Sequence, residues 1–301
     1  MPSVSPEPSV PRLGRQSIGV AGGMAIITAY VLVNFATYPI LDRTSWSVVN
    51  PLMLLAAGIC LGIIGSEISA LSAALVFGGP GFLLRLVGLW GVGLVLFACW
   101  AAGVLYADGF RGHRSWPWEL FCDVALGLPL ISLAIQAPLW MLKLYFGWRL
   151  ELPNKPLSAG GPKPHSIRDI LMGTLVTALS IAAVRFVVDS RQDLDLDFWA
   201  AWGIGVACLA GASLLVLAPL MMLILRVNRP AVAFGSAAGY AVAAGTLVTV
   251  LWTALHPGIL NDTDFPMFPS ILIACALAVI APLGVARLAG YRLQIGQRGS
   301  V

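Results

Sequence analysis

One acidic residue stands well inside an apolar stretch of the sequence. Glu67 lies in Gly65-Ser66-Glu67-Ile68-Ser69, within a run that extends from Pro51 to Phe77, whereas the other acidic residues lie in loops or near the ends of such runs. A carboxylate at the centre of a membrane helix costs about 2.5–3.5 kcal/mol on insertion scales, so intramembrane acids are rare and usually functional. Glu67 is therefore the candidate contact for a ligand or ion, with Arg85 as its candidate partner, and a structural hydrogen bond is the alternative role.

Two placements of Glu67 are consistent with the sequence. If the helix ends near Leu71, Glu67 lies near the membrane interface and its side chain extends to the headgroups. If the helix continues to Phe77, Glu67 lies within the bilayer. The apolar pattern alone does not distinguish these two helix ends.

The residue types that bind metals do not cluster in the sequence. The histidines fall in three different predicted loops, and no cysteine has a CxxC or metal-ligand spacing. Small buried hydrophobic side chains are the expected role of the cysteines. We predict neither a metal site nor a cofactor from these residues, which are Cys60, Cys99, Cys122, Cys208, Cys275, His113, His165 and His256.

Motifs of membrane-embedded or nucleotide-dependent enzymes are also missing. The sequence contains no HExxH zinc motif and no GxxxxGK[ST] phosphate loop. Gly211-Ala212-Ser213 is superficially similar to the serine loop of rhomboid proteases, but His256 lies in a predicted loop and cannot face that serine at depth. We therefore do not expect an enzyme.

The composition points to lipid as the solvent. Apolar residues make up 58% of the chain, charged residues 11%, and the mean hydropathy is +0.87, whereas soluble domains carry about 25% charged residues. The net charge of +4 comes without a basic cluster, so nucleic acid is not an expected partner. The lipid bilayer is the predicted partner, and the sequence identifies no protein partner.

About eight apolar runs reach the roughly 20 residues that a spanning helix needs. They predict an all-α, polytopic transmembrane helix bundle that forms a single domain over residues 1–301. Residues 1–17 and 289–301 are predicted cytoplasmic tails, and residues 149–168 a flexible cytoplasmic loop. The predicted spans are Ile18–Tyr38, Pro51–Phe77, Leu86–Tyr106, Leu120–Tyr145, Ile170–Val188, Phe198–Leu225, Val232–Leu255 and Pro269–Leu288.

The basic residues predict the orientation. With the N-terminus in the cytoplasm, 13 of the 18 lysines and arginines fall on the cytoplasmic side and 5 on the other. This asymmetry satisfies the positive-inside rule. We predict a multi-pass protein of the bacterial inner membrane with both termini in the cytoplasm.

Alternate predicted helices share a proline near the cytoplasmic end, followed by a basic residue. These prolines are Pro80, Pro138, Pro219 and Pro282. Proline kinks a helix, and neighbouring helices in a membrane can satisfy the carbonyl that it frees. The pattern suggests four repeated helical hairpins, although proline is common enough in membrane helices for chance to produce it.

One segment resembles a known group of sequences. Gly147-Trp148-Arg149-Leu150, then a basic loop, then His165-Ser166-Ile167-Arg168-Asp169-Ile170-Leu171 is similar to uncharacterised polytopic membrane proteins of planctomycete-type bacteria, over about residues 55–190. In those proteins an aromatic residue stands where His165 stands here. The resemblance implies a bacterial inner-membrane location and carries no activity and no catalytic residues. Independently, Ser166 with Asp169 resembles a helix-capping box.

Two functions are consistent with these observations. A non-enzymatic membrane protein with a structural, accessory or sensing role is the first. A small-molecule or ion transporter with a mid-membrane site near Glu67 is the alternative, and it would need a polar centre between helices.

We predict that single cysteines, placed in a variant without the native ones, will report this topology in intact cells. A membrane-impermeant thiol reagent should modify a cysteine at Asp195 or Asn261, which the basic-residue asymmetry places outside. It should leave Ser158→Cys and Gly299→Cys unmodified until the membrane is permeabilised. Modification of Ser158→Cys in intact cells would contradict the topology.

Overall fold

A computed structural model describes residues 12–43, 51–78, 82–111, 118–151, 214–255 and 267–295 of the chain. It also describes five single helical positions in the region predicted as the fifth span, which are Leu171, Thr174, Ala178, Ala182 and Arg185. The described part of the chain is helical apart from short connections and one two-stranded sheet.

The described helices and strands follow one another in a simple order. The elements are α1 (Arg12–Arg43), α2 (Pro51–Phe77), α3 (Phe82–Arg111), α4 (Trp118–Tyr145), β1 (Trp148–Glu151), α5 (Leu214–Arg226), α6 (Pro230–Leu255), α7 (Met267–Leu288) and β2 (Arg292–Ile295). The predicted spans outside the mostly undescribed fifth region overlap these helices, and α2 has the predicted ends.

Five of the described helices are long and apolar enough to cross a membrane. These stretches are Ser17–Leu41, Leu55–Phe77, Leu84–Ala107, Pro230–Leu247 and Ser270–Leu288. Their outward faces carry exposed leucine, valine and tryptophan side chains, such as Leu52, Leu84 and Trp90. An apolar outer surface of this kind suits lipid, because helices satisfy their own backbone hydrogen bonds there. The chain is therefore a membrane protein with transmembrane helices.

Helix α2 is the centre of the described bundle. It packs against α1, α4 and α7, while α3 lies against α1 and α6 lies against α7. One hydrophobic cluster joins α2, α4, α5 and α7 through residues such as Val76, Leu139, Leu220 and Val279. Half of the apolar stretch of α2 is buried, compared with 6% of α1. Side chains of α2 are consequently shielded from lipid.

Small residues bring the central helices into close contact. A Cβ atom added at Gly62 of α2 would lie 2.8 Å from the Cβ of Ala274 and would collide with the carbonyl oxygen of Ile271, both on α7. Gly103 of α3 contacts the backbone of Phe35 on α1 in the same way. Since apolar side chains gain little from leaving lipid for protein, such close backbone packing drives helix association in membranes.

The two strands form a small sheet that the sequence did not predict. Strands β1 and β2 pair antiparallel, with Leu150 opposite Leu293. Residues 149–151, predicted to open a flexible loop, and residues 292–295, predicted to lie in a tail, therefore hold each other in place. Gly147 and Gly290, with φ angles of 65° and 97°, lead from α4 and α7 into the strands.

Three of the four prolines in the predicted hairpin repeat lie in the described part of the chain. Pro138, Pro219 and Pro282 lie within the last two turns of α4, α5 and α7. Pro80 lies outside the described residues, so the equivalent depth of all four stays a prediction.

We predict that Gly62→Val will destabilise the protein by about 1–3 kcal/mol, the usual cost of inserting side-chain carbons into a packed interface. The valine would push α2 away from α7. Gly91→Val is the matched control, because Gly91 lies in a spanning helix with no atom near its missing side chain. Unfolding by SDS titration in mixed micelles measures both variants, and equal midpoints for them would show that the α2–α7 contact is not tight.

Candidate functional site

Glu67 lies near the middle of a membrane-spanning stretch. Helix α2 continues through Leu71 to Phe77, and its apolar stretch covers Leu55–Phe77. Of the two helix ends open from the sequence, the one at Phe77 is therefore correct. The side chain is 3% exposed, so it does not extend to a headgroup. Its burial follows from its position on α2, which α1, α4 and α7 surround.

Asn34 of α1 provides the hydrogen bonds to this carboxylate. Its Nδ2 lies 2.8 Å from Oε1 and 2.7 Å from Oε2 of Glu67, and 2.9 Å from the carbonyl oxygen of Tyr30. An amide nitrogen has two hydrogens. One can bond Tyr30, which orients the amide, and the other is shared by the two carboxylate oxygens. Glu67 thus receives about one N–H bond where a carboxylate can accept roughly four.

Further polar groups surround this pair on α1 and α2. The Tyr30 hydroxyl lies 3.3 Å from Ser66 Oγ, and Ser66 donates to the carbonyl oxygen of Ile63 at 2.6 Å. Thr37, one turn after Asn34, is buried and donates to Val33 at 2.7 Å. The centre of the α1–α2 interface is therefore polar, in helices whose outer faces are apolar.

Buried polar side chains continue from this centre towards the C-terminal end of α2. Ser69 and Ser72 follow Ser66 at successive turns, and all three are buried. Ser72 Oγ lies 3.4 Å from Ser132 Oγ of α4, which accepts a bond from Gln136 Nε2 at 2.9 Å. We call these five residues the polar ladder, and it extends the polar region over about two turns of helix.

Arg85 is not placed to neutralise Glu67. Its side chain packs over Gly78, just after the end of α2, about 16 Å along the helix axis from Glu67 at 1.5 Å per residue. Among the described residues, no cationic side chain lies beside Glu67. The predicted pairing of Arg85 with Glu67 is therefore wrong, because α3 begins at the far end of α2.

The other residues considered from sequence do not join this centre. Arg185, a basic residue of the region predicted as the fifth span, is an exposed helical position. Cys60, Cys99 and Cys275 have free thiols. No group of three or more metal-binding side chains occurs in the described part of the chain.

The arrangement can hold a proton or a small cation. A buried carboxylate with unfilled acceptor positions can bind a proton covalently or contribute an oxygen to a cation. The nearest described partner, Asn34, donates an N–H group to the carboxylate and leaves its other acceptor positions open to a proton.

Asn34 is the functional residue that sequence reasoning missed. It stands alone in an apolar run, as Glu67 does, and two isolated polar residues in neighbouring predicted spans are a usable signal for a contact. Comparison of the chain with protein-family models, with curated proteins and with solved structures finds no match. The function must therefore be argued from these residues alone.

We predict that Asn34→Ala will cost about 1–3 kcal/mol of stability, because it leaves a buried acceptor without its donor. In a Glu67→Leu background the same change should cost at least about 0.5 kcal/mol less, as expected for coupled residues. Ser236→Ala is the control, since the Ser236 hydroxyl is exposed and bonds only carbonyls of its own helix. Additive effects of the Asn34 and Glu67 changes in SDS titrations would contradict the contact.

Proposed function

We propose that this protein is a non-enzymatic, multi-pass membrane transporter of small molecules or ions, in which Glu67 takes up and releases a proton. The observation that carries the proposal is the burial of a carboxylate at mid-span with Asn34 as its hydrogen-bond donor. Proton relays in pumps and transporters are built from such intramembrane acids.

The position of Glu67 between helices favours a functional role over a purely structural one. An apolar side chain at this position could be buried without the free-energy cost of removing a polar group from water. Packing of α2 against α1 and α7 already relies on small residues such as Gly62. The carboxylate therefore adds a chemical group that the packing does not need.

The polar ladder supports the same proposal. A proton bound at mid-span needs polar groups or water along its route to one face. Ser69, Ser72, Ser132 and Gln136 supply hydroxyl and amide groups between Glu67 and the C-terminal end of α2. A coordinated metal cation is less suited to this centre, since hard cations take six or more oxygen ligands.

The second candidate is the structural, accessory or sensing role. The dense contact of α2 with α7 favours it, because a packed centre is what such a role requires. In that role, the hydrogen bonds between Asn34 and Glu67 determine which face of α1 packs against which face of α2.

We further propose the finer topology on the strength of the sequence. Eight spans, arranged as helical hairpins, place both termini in the cytoplasm of a bacterium and the protein in its inner membrane. The distribution of the 18 lysines and arginines supports this orientation. The resemblance to planctomycete-type membrane proteins is consistent with it.

We predict that Glu67→Gln will abolish protein-dependent proton movement in proteoliposomes that enclose a pH-sensitive dye and carry an imposed pH gradient. Glutamine keeps the shape of the side chain and cannot exchange a proton, so expression and melting temperature should stay near those of the natural protein. Asp195→Asn is the matched control, because it removes an acid from a predicted external loop.

Infrared difference spectroscopy on pH jumps provides a second measurement that needs no transported substrate. A band from a protonated carboxyl should disappear in Glu67→Gln and persist in Asp195→Asn. If Glu67→Gln leaves flux and spectrum unchanged, and Glu67→Leu is neutral or stabilising, the transport proposal fails and the structural role is supported.

A further inference from the structure

A stretch of sequence at the end of α4 recurs at the end of α7. The first copy reads Ala-Pro-Leu, then Lys143-Leu, then Gly147-Trp-Arg-Leu. The second reads Ala-Pro-Leu, then Arg287-Leu, then Gly290-Tyr-Arg-Leu. The order and residue types agree, with one residue fewer before the second glycine. Both copies run from a helix into a strand.

The backbone repeats as well. Gly147 and Gly290 are the described residues with positive φ angles, a conformation that other residues rarely adopt. Each lies between the end of a helix and the start of a strand. The sequence repeat therefore corresponds to a repeated turn.

The two basic residues perform the same task in both copies. Lys143 Nζ donates at 2.7 Å to the carbonyl oxygen of Val76, in the last turn of α2. Arg287 donates to the carbonyl oxygen of Ile224, in the last turn of α5, and to that of Asn228 at 3.0 Å. Each binds carbonyls that the end of another helix leaves unpaired.

Burial follows the same correspondence. If Val76 matches Ile224, five of the six buried residues from Ser69 to the end of α2 match buried residues of α5, and Leu75, which matches the half-buried Leu223, is the exception. The matching residues are Ser69, Ser72, Ala73, Val76 and Phe77 on α2, and Leu217, Leu220, Met221, Ile224 and Leu225 on α5. On α4 and α7, the buried pair Ile135 and Leu139 matches the buried pair Val279 and Leu283.

The register of the sheet has the same symmetry. The pairs include Arg149 with Gln294, Leu150 with Leu293, and Glu151 with Arg292. In the sequence repeat Arg149 corresponds to Arg292, Leu150 to Leu293, and Glu151 to Gln294. Exchanging the two copies therefore converts the first pair into the third and leaves the Leu150–Leu293 pair unchanged. A two-fold axis through that leucine pair has this property.

We infer that the ends of α2 and α4 with β1, and the ends of α5 and α7 with β2, are two copies of one unit that face each other across an approximate two-fold axis. The interface between the two copies is formed by the ends of α2, α4, α5 and α7 and by the β1–β2 sheet. Each copy of the unit therefore packs against the other copy within the same chain. The inference does not depend on the transport proposal.

The first test uses disulfides in the full chain, in a variant without native cysteines and with a protease site inserted between Glu151 and Arg168. The two-fold axis makes Arg149→Cys/Gln294→Cys equivalent to Glu151→Cys/Arg292→Cys, so both pairs should cross-link at comparable rates. After cleavage, the two fragments should then migrate together without reductant. Trp148→Cys/Arg292→Cys, which is out of register, should cross-link at least about tenfold more slowly, given the separation that a disulfide requires.

The second test is a circular permutant in which residues 158–301 precede residues 1–157, joined by a flexible linker. Equivalent copies can exchange their order, so the permutant should melt near the natural protein and form the Leu150→Cys/Leu293→Cys disulfide. A folded permutant without this disulfide would overturn the inference. If the permutant is not recovered, the disulfide rates decide, and unequal rates for the two equivalent pairs, differing by about tenfold or more, would also overturn it.

Discussion

The close approach of α2 and α7 is the contact on which the rest of the described structure depends. Gly62 allows the backbones to meet, and a side chain there would collide with Ile271. In lipid, apolar surface gains little from burial against protein, so association relies on close packing and polar contacts. This contact also joins the first half of the chain to the second. Because α2 is held there, its remaining faces can be covered by α1 and α4.

The environment of Glu67 is a consequence of that arrangement. Covering α2 on several sides removes Glu67 from both lipid and water, and a buried polar group must then find its partners inside the protein. Asn34 on α1 is the partner of Glu67, and the serines along α2 bond backbone carbonyls of their own helix or Ser132 of α4. The same helix therefore serves as the centre of packing and as the carrier of the polar groups. Changes to α2 will affect stability and chemistry together unless they keep the shape of the side chain.

The sequence predicted the positions of the described helices because each is an apolar run; five of them are long and apolar enough to span a membrane, and the total of eight spans stays a prediction. It also singled out Glu67, since an acid within such a run is conspicuous. It did not predict Asn34 as the partner, because that contact depends on which faces of α1 and α2 meet. The incorrect pairing with Arg85 came from assuming that two residues on one side of the membrane are close.

The sheet shows a different limit of sequence reasoning. Strands of four residues carry little periodic signal, and each is stabilised by a partner strand that lies far from it in the sequence. Residues 149–151 therefore read as part of a polar loop. The repeated Gly-aromatic-Arg-Leu segment was nevertheless visible in the sequence. The prolines Pro138 and Pro282 belong to both the predicted hairpin repeat and this longer repeat, so proline positions alone do not distinguish the two.

The two-copy arrangement bears on why Glu67 is present at all. Matching Val76 with Ile224 places Leu215 of α5 at the position equivalent to Glu67. Leu215 is 60% exposed, whereas Glu67 is buried against Asn34. The repeated segment thus carries a leucine at an exposed position in one copy and a carboxylate at a buried position in the other. Glu67 is therefore a departure from the repeat, and its burial carries a cost that the exposed leucine of the other copy avoids, which is what the proposed proton-binding role requires of this position.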